Sequence, residues 1–467
     1  MKVTDGLVEG QQTMGIAMRW IGLLGLAIGW LLSASANAAP LPFDPDEATR
    51  AWLATMGPEA TARSNSYFEG GYWLDLADSA LTIIIALLLM VLGFAKGVRG
   101  WLERTVKFYF LVTLGMAAFY ILVSGVLTFP FAYYVGFLRE HEFGLATQTF
   151  PEWFTEYLIG FALNLLIGAL FIAVLYLIIR AAKSAWWIWG AGVSIAFLMV
   201  VSMLAPVYIS PIFNDFTPMQ EGALKTDILH MAQANGVPAN DVFVFDVSRQ
   251  SNRVTANVSG FANTTRISLS DTLISRVSQG GVREVMGHEI GHYVLHHTNS
   301  IMLMLGVLIA FVFVFTNLLF GWVTKGERWG VRGISDAAGL PLFSAIITLL
   351  FTFATPIQNN IIRYHEHQAD IFGLNASREP DGFAETALLL SEYRKMEPSP
   401  LERWFFYDHP SGYDRIHMAM VWKANEMAAG RYPMGPGGPP PGWRPDFVVM
   451  RESRARPAEP SPAAPSD

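Results

Sequence analysis

Long uncharged apolar runs alternate with polar segments along this chain, and they set its predicted architecture. The six main runs span residues 79–95, 108–131, 157–179, 184–213, 300–324 and 337–362. Each is close to or above the roughly 20 residues that a helix needs to cross a bilayer, although the first is short and needs its flanks. Because every backbone polar group inside a bilayer must be paired internally, each run is predicted to be a transmembrane helix.

A seventh and shorter apolar run, 20–32, lies near the start of the chain. It is followed by Ala36-Asn37-Ala38 and then Pro40. A short apolar core before an A-x-A site is typical of a signal peptide. Residues 1–38 are therefore interpreted as a signal peptide, with a retained first span as the alternative, and the prediction is six or seven transmembrane helices.

The remaining segments are polar. Between the fourth and fifth main runs, alternating patterns at 241–247, 255–261 and 266–270 predict short strands, and apolar residues at helical spacing predict a helix from Val282. We expect an extramembrane segment at 39–78, four helices over 79–213, a small α+β domain at 214–299, two helices over 300–362, and a helical continuation of the α+β domain at 363–430. Ten of the 26 prolines fall in 431–467, which is predicted to be a disordered tail.

Basic residues are concentrated in three of the short loops between runs. These residues are Lys96, Arg99, Arg104, Lys107, Arg180, Lys183, Lys325, Arg328 and Arg332. If all six main runs span, the three loops lie on one side of the membrane, and basic loops face the cytoplasm. The α+β domain is therefore predicted on the opposite, exported face of a multi-pass protein, in a bacterial inner membrane.

Composition agrees with this architecture and removes several function classes. Apolar residues make up 52% of the chain and charged residues only 15%, against about 25% charged in soluble domains. The net charge of −7 comes without a basic tract, so a nucleic acid partner is not expected. The absence of cysteine excludes disulfides, thiolate metal ligands and thiol nucleophiles. No nucleotide-binding fingerprint stands out.

The predicted helix after the strands contains the motif H-E-x-x-H, as His288-Glu289-Ile290-Gly291-His292. Residues i and i+4 share one face of a helix, so both imidazoles can hold one Zn²⁺ while Glu289 activates water. The alternative is an ordinary helix with solvated His and Glu side chains. A catalytic zinc ion usually takes three protein ligands, so a third is required.

The third ligand is expected on a later helix. A third histidine at the usual spacing is absent, because Thr298 occupies that position. Glu366 and Asp370 are four residues apart and share a helix face, so Glu366 can bind zinc while Asp370 orients a zinc-bound imidazole. His365 and His367 flank Glu366 and are rival ligands. We expect one zinc ion per chain, at the membrane boundary.

These motifs and the spans around them resemble the type I CAAX prenyl protease family of integral-membrane zinc endopeptidases. The resemblance extends over roughly residues 43–425 and includes the segments 140–144, 212–218 and 270–273. It also includes His409-Pro410 followed by Arg415. Where the family has an Asn-Ala pair on its peptide-binding strand, this chain has Thr255-Ala256.

The resemblance implies a barrel of seven helices around a water-filled intramembrane chamber, with a zinc domain at one end. It assigns metal ligation to His288, His292 and Glu366, the general base to Glu289, and contacts with the substrate or its oxyanion to His409 and Arg415. Residues 255–257 (Thr255, Ala256 and Asn257) would lie on the strand that pairs with the peptide. In the family the scissile bond lies near the C-terminus of a prenylated protein.

The predicted function is that of a membrane-embedded zinc endopeptidase. Its partners would be the lipid bilayer and peptide or protein substrates, including lipidated ones. Two alternatives remain open on sequence grounds. One is a quality-control protease with no prenyl requirement. The other is a membrane chamber that binds or escorts lipopeptides without cutting them.

Overall fold

The structure is a computed structural model that describes residues 40–259, 265–327 and 329–455. Its first half is helical and contains α1 Pro45–Ala54, α2 Gly57–Val91, α3 Phe94–Thr105, α4 Tyr109–Tyr133, α5 Phe150–Ala182 and α6 Trp186–Leu204. A mixed region follows, with β1 Phe216–Pro218, α7 Ala223–Ala234, β2 Val242–Phe245, β3 Ala256–Ser259, β4 Arg266–Ser270, α8 Asp271–Arg276 and α9 Gln279–Val294. The last helices are α10 His297–Val323, α11 Leu340–Ser377, α12 Pro380–Leu390, α13 Pro400–Phe406, α14 Gly412–Ala428 and α15 Asp446–Ala455.

Five continuous helices in the described ranges are long and apolar enough to cross a membrane. One of them, Phe150–Phe213, has 64 residues and contains both α5 and α6. The chain turns between these two at Lys183, whose φ of 50° interrupts the helical backbone. The five helices therefore carry all six main runs predicted from the sequence. The seventh run, 20–32, lies outside the described residues, and so does the predicted signal peptide.

The three basic loops meet at one end of the membrane helices. Arg99 of α3 forms a buried ion pair with Asp336, which lies in the loop between α10 and α11. Tyr109, at the start of α4, donates a hydrogen bond to the backbone of that loop and stacks under Arg180 at the end of α5. Contacts from all three predicted basic loops thus converge at the end of the bundle opposite the α+β domain.

The strands form one small sheet in the order β1-β2-β4-β3. β2 and β4 are parallel, whereas β1 and β3 pair with them antiparallel. Strands β2, β3 and β4 lie within the segments predicted at 241–247, 255–261 and 266–270, whereas β1 lies outside them. The predicted turn at 260–264 lies outside the described residues. Because β3 pairs only with β4 in the described part of the sheet, one edge of β3 is free.

The core of the α+β domain packs α9 and α12 against the sheet. Its buried apolar side chains include Ile228, Val242, Ile267, Leu269, Met286, Ile290, Phe383 and Leu388. Helix α9 begins at a regular N-cap, where the Ser278 hydroxyl accepts a hydrogen bond from the Gly281 amide. Full burial of these side chains stabilises the domain by roughly 1.5–3 kcal/mol for each large residue.

Two glycines allow α9 and α11 to cross at very short distance. A Cβ atom added to Gly373 would lie 2.7 Å from the His288 backbone nitrogen, and one added to Gly287 would lie 2.9 Å from the Gly373 carbonyl oxygen. A larger residue at either position would overlap the backbone of the facing helix, and one of the two backbones would have to move. The close crossing brings together the helix faces that carry His288 and Glu366.

The segment after α14 differs from the disordered tail predicted for 431–467. Trp443 packs edge-to-face on Trp52 with ring centroids 5.0 Å apart, and Phe447 is buried in the domain core. Asp446 forms a salt bridge with Arg276. A few apolar anchors and one ion pair hold this proline-rich segment on the surface, and a composition argument does not detect them. Residues 456–467 lie outside the described ranges.

Candidate active site

The H-E-x-x-H motif lies in the C-terminal half of α9, immediately before a sharp bend. His296 adopts the left-handed conformation with φ of 55°, and α10 begins at the next residue. The motif helix therefore does not continue straight into the following span, and the structure has two helices at this point. The bend directs α10 into the membrane while α9 stays against the sheet.

Helix α11 has no such break and carries the third candidate ligand. It runs for 38 residues from the membrane into the α+β domain. Nε2 of His288 lies 3.3 Å from Oε2 of Glu366, and Nε2 of His292 lies 3.5 Å from Oε1 of Glu366. The ligand atoms of the three residues all lie within 4.8 Å of one another, which is the spacing expected around one metal ion.

Asp370 and Arg415 lie behind this group. Nδ1 of His288 is 2.8 Å from Oδ1 of Asp370, a carboxylate with no exposed surface. Both oxygens of Asp370 also accept hydrogen bonds from Arg415, through Nε at 2.9 Å and through Nη2. A bidentate guanidinium thus holds the carboxylate that orients the first imidazole. Arg415 borders the cavity, but two of its nitrogens are engaged with Asp370.

His297, one of two histidines that follow the motif helix, is a further neighbour of the metal group. Its Nδ1 lies 3.0 Å from Nδ1 of His292, and the side chain is buried. The contact fixes the ring of His292 from the side opposite Glu366. The bend at His296 places His297 beside His292. A straight helix through this point would place His297 elsewhere.

The two rival ligands are directed elsewhere. His365 is buried, with Nε2 2.8 Å from the Ser300 hydroxyl and Nδ1 2.8 Å from the Ile361 carbonyl oxygen. His367 is exposed. Neither belongs to the group formed by the two motif histidines and Glu366.

A cavity of about 190 Å³ lies beside the metal group. The edge strand region, α9, α12 and the segment after α13 contribute its walls. Its lining includes Val254, Thr255, Ala256, Glu284, Val285, His288, Glu289, Phe383, Tyr393, Arg394, His409 and Arg415. Three residues were predicted on the peptide-binding strand. Two of them, Thr255 and Ala256, border the cavity, whereas Asn257 does not line it.

His409 lies at one end of this cavity. Its Nε2 is 3.2 Å from Oε2 of Glu366, and its Nδ1 is 2.8 Å from Oδ1 of Asp408. Burial, assisted by the nearby Arg394, lowers the pKa of His409 below its ordinary value. The contact with Asp408 holds the imidazole in place beside the metal group.

The helical continuation of α4, which ends at Glu142, and the turn after it support the chain that leads into β3. Glu140 accepts a hydrogen bond of 2.8 Å from Arg253, and Tyr67 donates to the same carboxylate at 2.6 Å. The Asn252 amide group donates at 2.8 Å to the Gly144 carbonyl oxygen. The membrane helices thus position the edge strand directly, through polar contacts at their rim.

The electrostatics of the site suit a bound cation. Burial alone would lower the pKa of His288, but the carboxylates of Asp370 and Glu366 outweigh this effect and raise it. Burial raises the pKa of Glu289. Oε2 of Glu366 is buried and accepts no hydrogen bond in the described part of the chain. An unsatisfied carboxylate oxygen facing two imidazole nitrogens is the donor set that zinc prefers.

This geometry defines a class, a metallopeptidase whose active site lies where membrane helices emerge into an α+β domain. Comparison with family models gives the same result. The model described as the CAAX prenyl protease N-terminal region with five membrane helices matches residues 47–215, and that of peptidase family M48 matches residues 218–423. The two models match adjacent parts of the chain, which is a membrane metalloendopeptidase similar to peptidase family M48.

Similar proteins come from bacteria and eukaryotes. The uncharacterized metalloprotease YhfN of Bacillus subtilis is 28% identical over 86% of this chain and 96% of its own. CAAX prenyl protease 1 of Saccharomyces cerevisiae is 28% identical over 63% of this chain and 69% of its own. The crystal structure of S. mikatae Ste24p superposes with a TM-score of 0.64 at 21% identity, and covers 80% of this chain and 94% of that one. The predicted fold of membrane helices around a chamber with a small protease domain is confirmed.

Proposed function

We propose that this protein uses one zinc ion, held by His288, His292 and Glu366, to hydrolyse peptide bonds in membrane-associated polypeptides, including lipidated ones. The observation that carries the proposal is the convergence of these three side chains beside the free edge of β3. The family of the chain supports the metal and the reaction type. Glu289 in the same cavity supports catalysis over passive binding.

Each residue of the site has a role that follows from its position. Zinc bound here would polarise the scissile carbonyl group and increase the acidity of water. Glu289 accepts the proton of the attacking water, and its raised pKa helps it to hold that proton and pass it to the leaving amine. Asp370 keeps the proton of His288 on Nδ1, so that Nε2 faces the metal group. His409 borders the same space and stabilises charge on the substrate oxygen.

The substrate binds as an added strand. The edge of β3 that faces α9 has free backbone groups, and Thr255 and Ala256 border the cavity next to Glu289. Pairing through the backbone needs no particular side chain, so the Thr-Ala sequence remains compatible with peptide binding. Asn257 continues the strand beyond the cavity.

Two features support a substrate attached to the membrane. An apolar groove of about 630 Å³ runs between α10 and α11 and reaches Ile361, five residues before Glu366 along α11. The printed names of several relatives describe CAAX prenyl proteases. A lipid chain in this groove would hold an attached peptide near the metal group. The basic loops at the opposite end of the bundle support a site on the exported face.

The test is metal content and proteolysis of the purified full chain in detergent. We expect about one zinc ion per chain in the wild type, loss of zinc in Glu366→Ala, and full zinc content in the matched control His367→Ala, whose side chain is exposed one residue away. Prenylated and unmodified versions of one peptide are then compared. Preferential cutting of the lipidated peptide supports the substrate class, whereas equal rates contradict it.

Absence of zinc from the wild type would overturn the ligand assignment. Zinc binding without cleavage of any peptide would instead overturn the proteolytic role. A protease-accessibility assay on membrane vesicles of known orientation tests the exported face, because a tag in the α+β domain must be cut from that side only.

A further inference from the structure

The active-site cavity contains one acidic residue for which the mechanism above has no use. Glu284 lies on α9, four residues before His288 and on the same face of the helix. It lines the cavity together with Val285 on the same helix and Phe383 on α12. Only 4% of its surface is exposed, so the side chain is enclosed by the cavity walls.

The Glu284 carboxylate has no cationic partner at salt-bridge distance in the described part of the chain, and no hydrogen bond to it is found there. Arg415 acts on Glu284 electrostatically, but its Nε and Nη2 are directed to Asp370. Arg394 borders the cavity near Asp408 and His409, at the other end. A carboxylate that lines the cavity is thus left without a partner.

An unpaired buried carboxylate is unfavourable for folding, because the protein interior does not replace its lost hydration. The neighbouring walls at Leu273 and Phe383 are apolar and make this cost larger. A glutamine or an aliphatic residue would fill the same space at lower cost. A positively charged group that enters the cavity from outside would compensate the charge.

We propose that Glu284 selects substrates with a lysine or arginine side chain close to the scissile bond. This inference rests on the proposed proteolytic function and adds a substrate class to it. The four-residue separation of Glu284 from His288 corresponds to about 6 Å along the helix axis. About two residues of extended peptide cover that distance, so the selected side chain lies within two positions of the cut. The cavity volume of about 190 Å³, some six times the share of one liquid water molecule, is sufficient for one long side chain.

The experiment uses the zinc-loaded full chain and a peptide series. Each peptide has lysine, methionine or glutamate at one of three positions on either side of the cut, and kcat/KM is measured for each. At one position we expect lysine to exceed methionine by about 10- to 100-fold, the range for a charge-assisted pair in a desolvated site. Glu284→Gln reduces that ratio to near one. Glu221→Gln removes an equally charged but exposed carboxylate of the same domain and must leave the ratio unchanged.

The ratio compares two substrates of the same active molecules, so partial misfolding of a variant does not affect it. A lysine preference that survives in Glu284→Gln would overturn the inference, and so would a wild type without any preference for basic residues. In either case, cleavage of the peptides by the wild type leaves the proposed function intact. If the wild type with bound zinc cuts no peptide at all, the proposed function itself is refuted.

Discussion

The buried pair of Asp370 and Arg415 offers a strong test of how the site is held together. Asp370 has no exposed surface, and the Arg415 side chain is only 11% exposed. We consider Asp370→Asn, which keeps the shape of the side chain and removes its charge. The change leaves a buried guanidinium without its carboxylate and weakens the contact that orients His288.

The structure sets two magnitudes for this substitution. Removal of one member of a buried ion pair costs about 3–5 kcal/mol, because the remaining charge is desolvated and uncompensated. Loss of the carboxylate that orients a metal-bound imidazole lowers metal affinity by about 10- to 100-fold, or about 1.4–2.7 kcal/mol. Asp370→Asn is therefore expected to lower both the unfolding midpoint and the zinc affinity.

A double-mutant cycle with Arg415→Met measures the interaction energy between Asp370 and Arg415 separately from their other contacts. Zinc affinity is measured by competition with a chelator, and stability by thermal unfolding in the same detergent. The double variant should be less destabilised than the sum of the two single variants, since it leaves no unpaired guanidinium. Arg431→Gln, in an exposed pair with Glu426, is the control and should change neither quantity. Strict additivity, or unchanged zinc affinity in Asp370→Asn, would refute this reasoning.

Three further predictions concern other parts of the site. Gly373→Ala places a Cβ 2.7 Å from the backbone of α9, so we expect a loss of about 1–3 kcal/mol in thermal unfolding, with Gly192→Ala, which meets no atom within 4 Å, as a neutral control. His297→Ala frees the second imidazole ligand and should weaken zinc binding by about 10- to 100-fold in chelator competition, while His296→Ala should not. Burial raises the pKa of Glu284 from 4.5 to about 7, so its contribution to stability is present below pH 4.5 and is lost as pH rises through 7. Relative to Glu284→Gln, the zinc-free wild type should therefore lose up to about 3 kcal/mol between about pH 4.5 and 7, and a parallel pH dependence of the two proteins would contradict the shift.

Periodicity was sufficient to predict those parts of the site that lie on regular helices. His288 and His292 are four residues apart on α9, and Glu366 and Asp370 are four apart on α11. The alternation of charged loops then placed the ends of α10 and α11 on one side of the membrane. Residues four apart share one face of any straight helix, so these two pairs can be predicted without knowing how the helices pack.

The parts that sequence reasoning did not reach depend on bends and on contacts across elements. His297 contacts the second ligand only because the chain turns at His296, and no periodic pattern indicates that turn. Arg415 reaches Asp370 from a different helix, α14. One signal was available for Glu284, whose position one turn before His288 places it on the metal-binding face of α9. The packed segment around Trp443 was concealed by its proline-rich composition.

We propose that Glu289 acts as the general base at a metal site whose ligands are other residues. Glu289→Gln keeps the size of the side chain and removes the proton acceptor, and it leaves all three ligand side chains in place. Zinc content and peptide hydrolysis should be measured on the same preparation, beside the wild type. We expect Glu289→Gln to have unchanged zinc content, with hydrolysis lowered by at least about 100-fold. Hydrolysis at the wild-type rate in a zinc-loaded Glu289→Gln protein would contradict it.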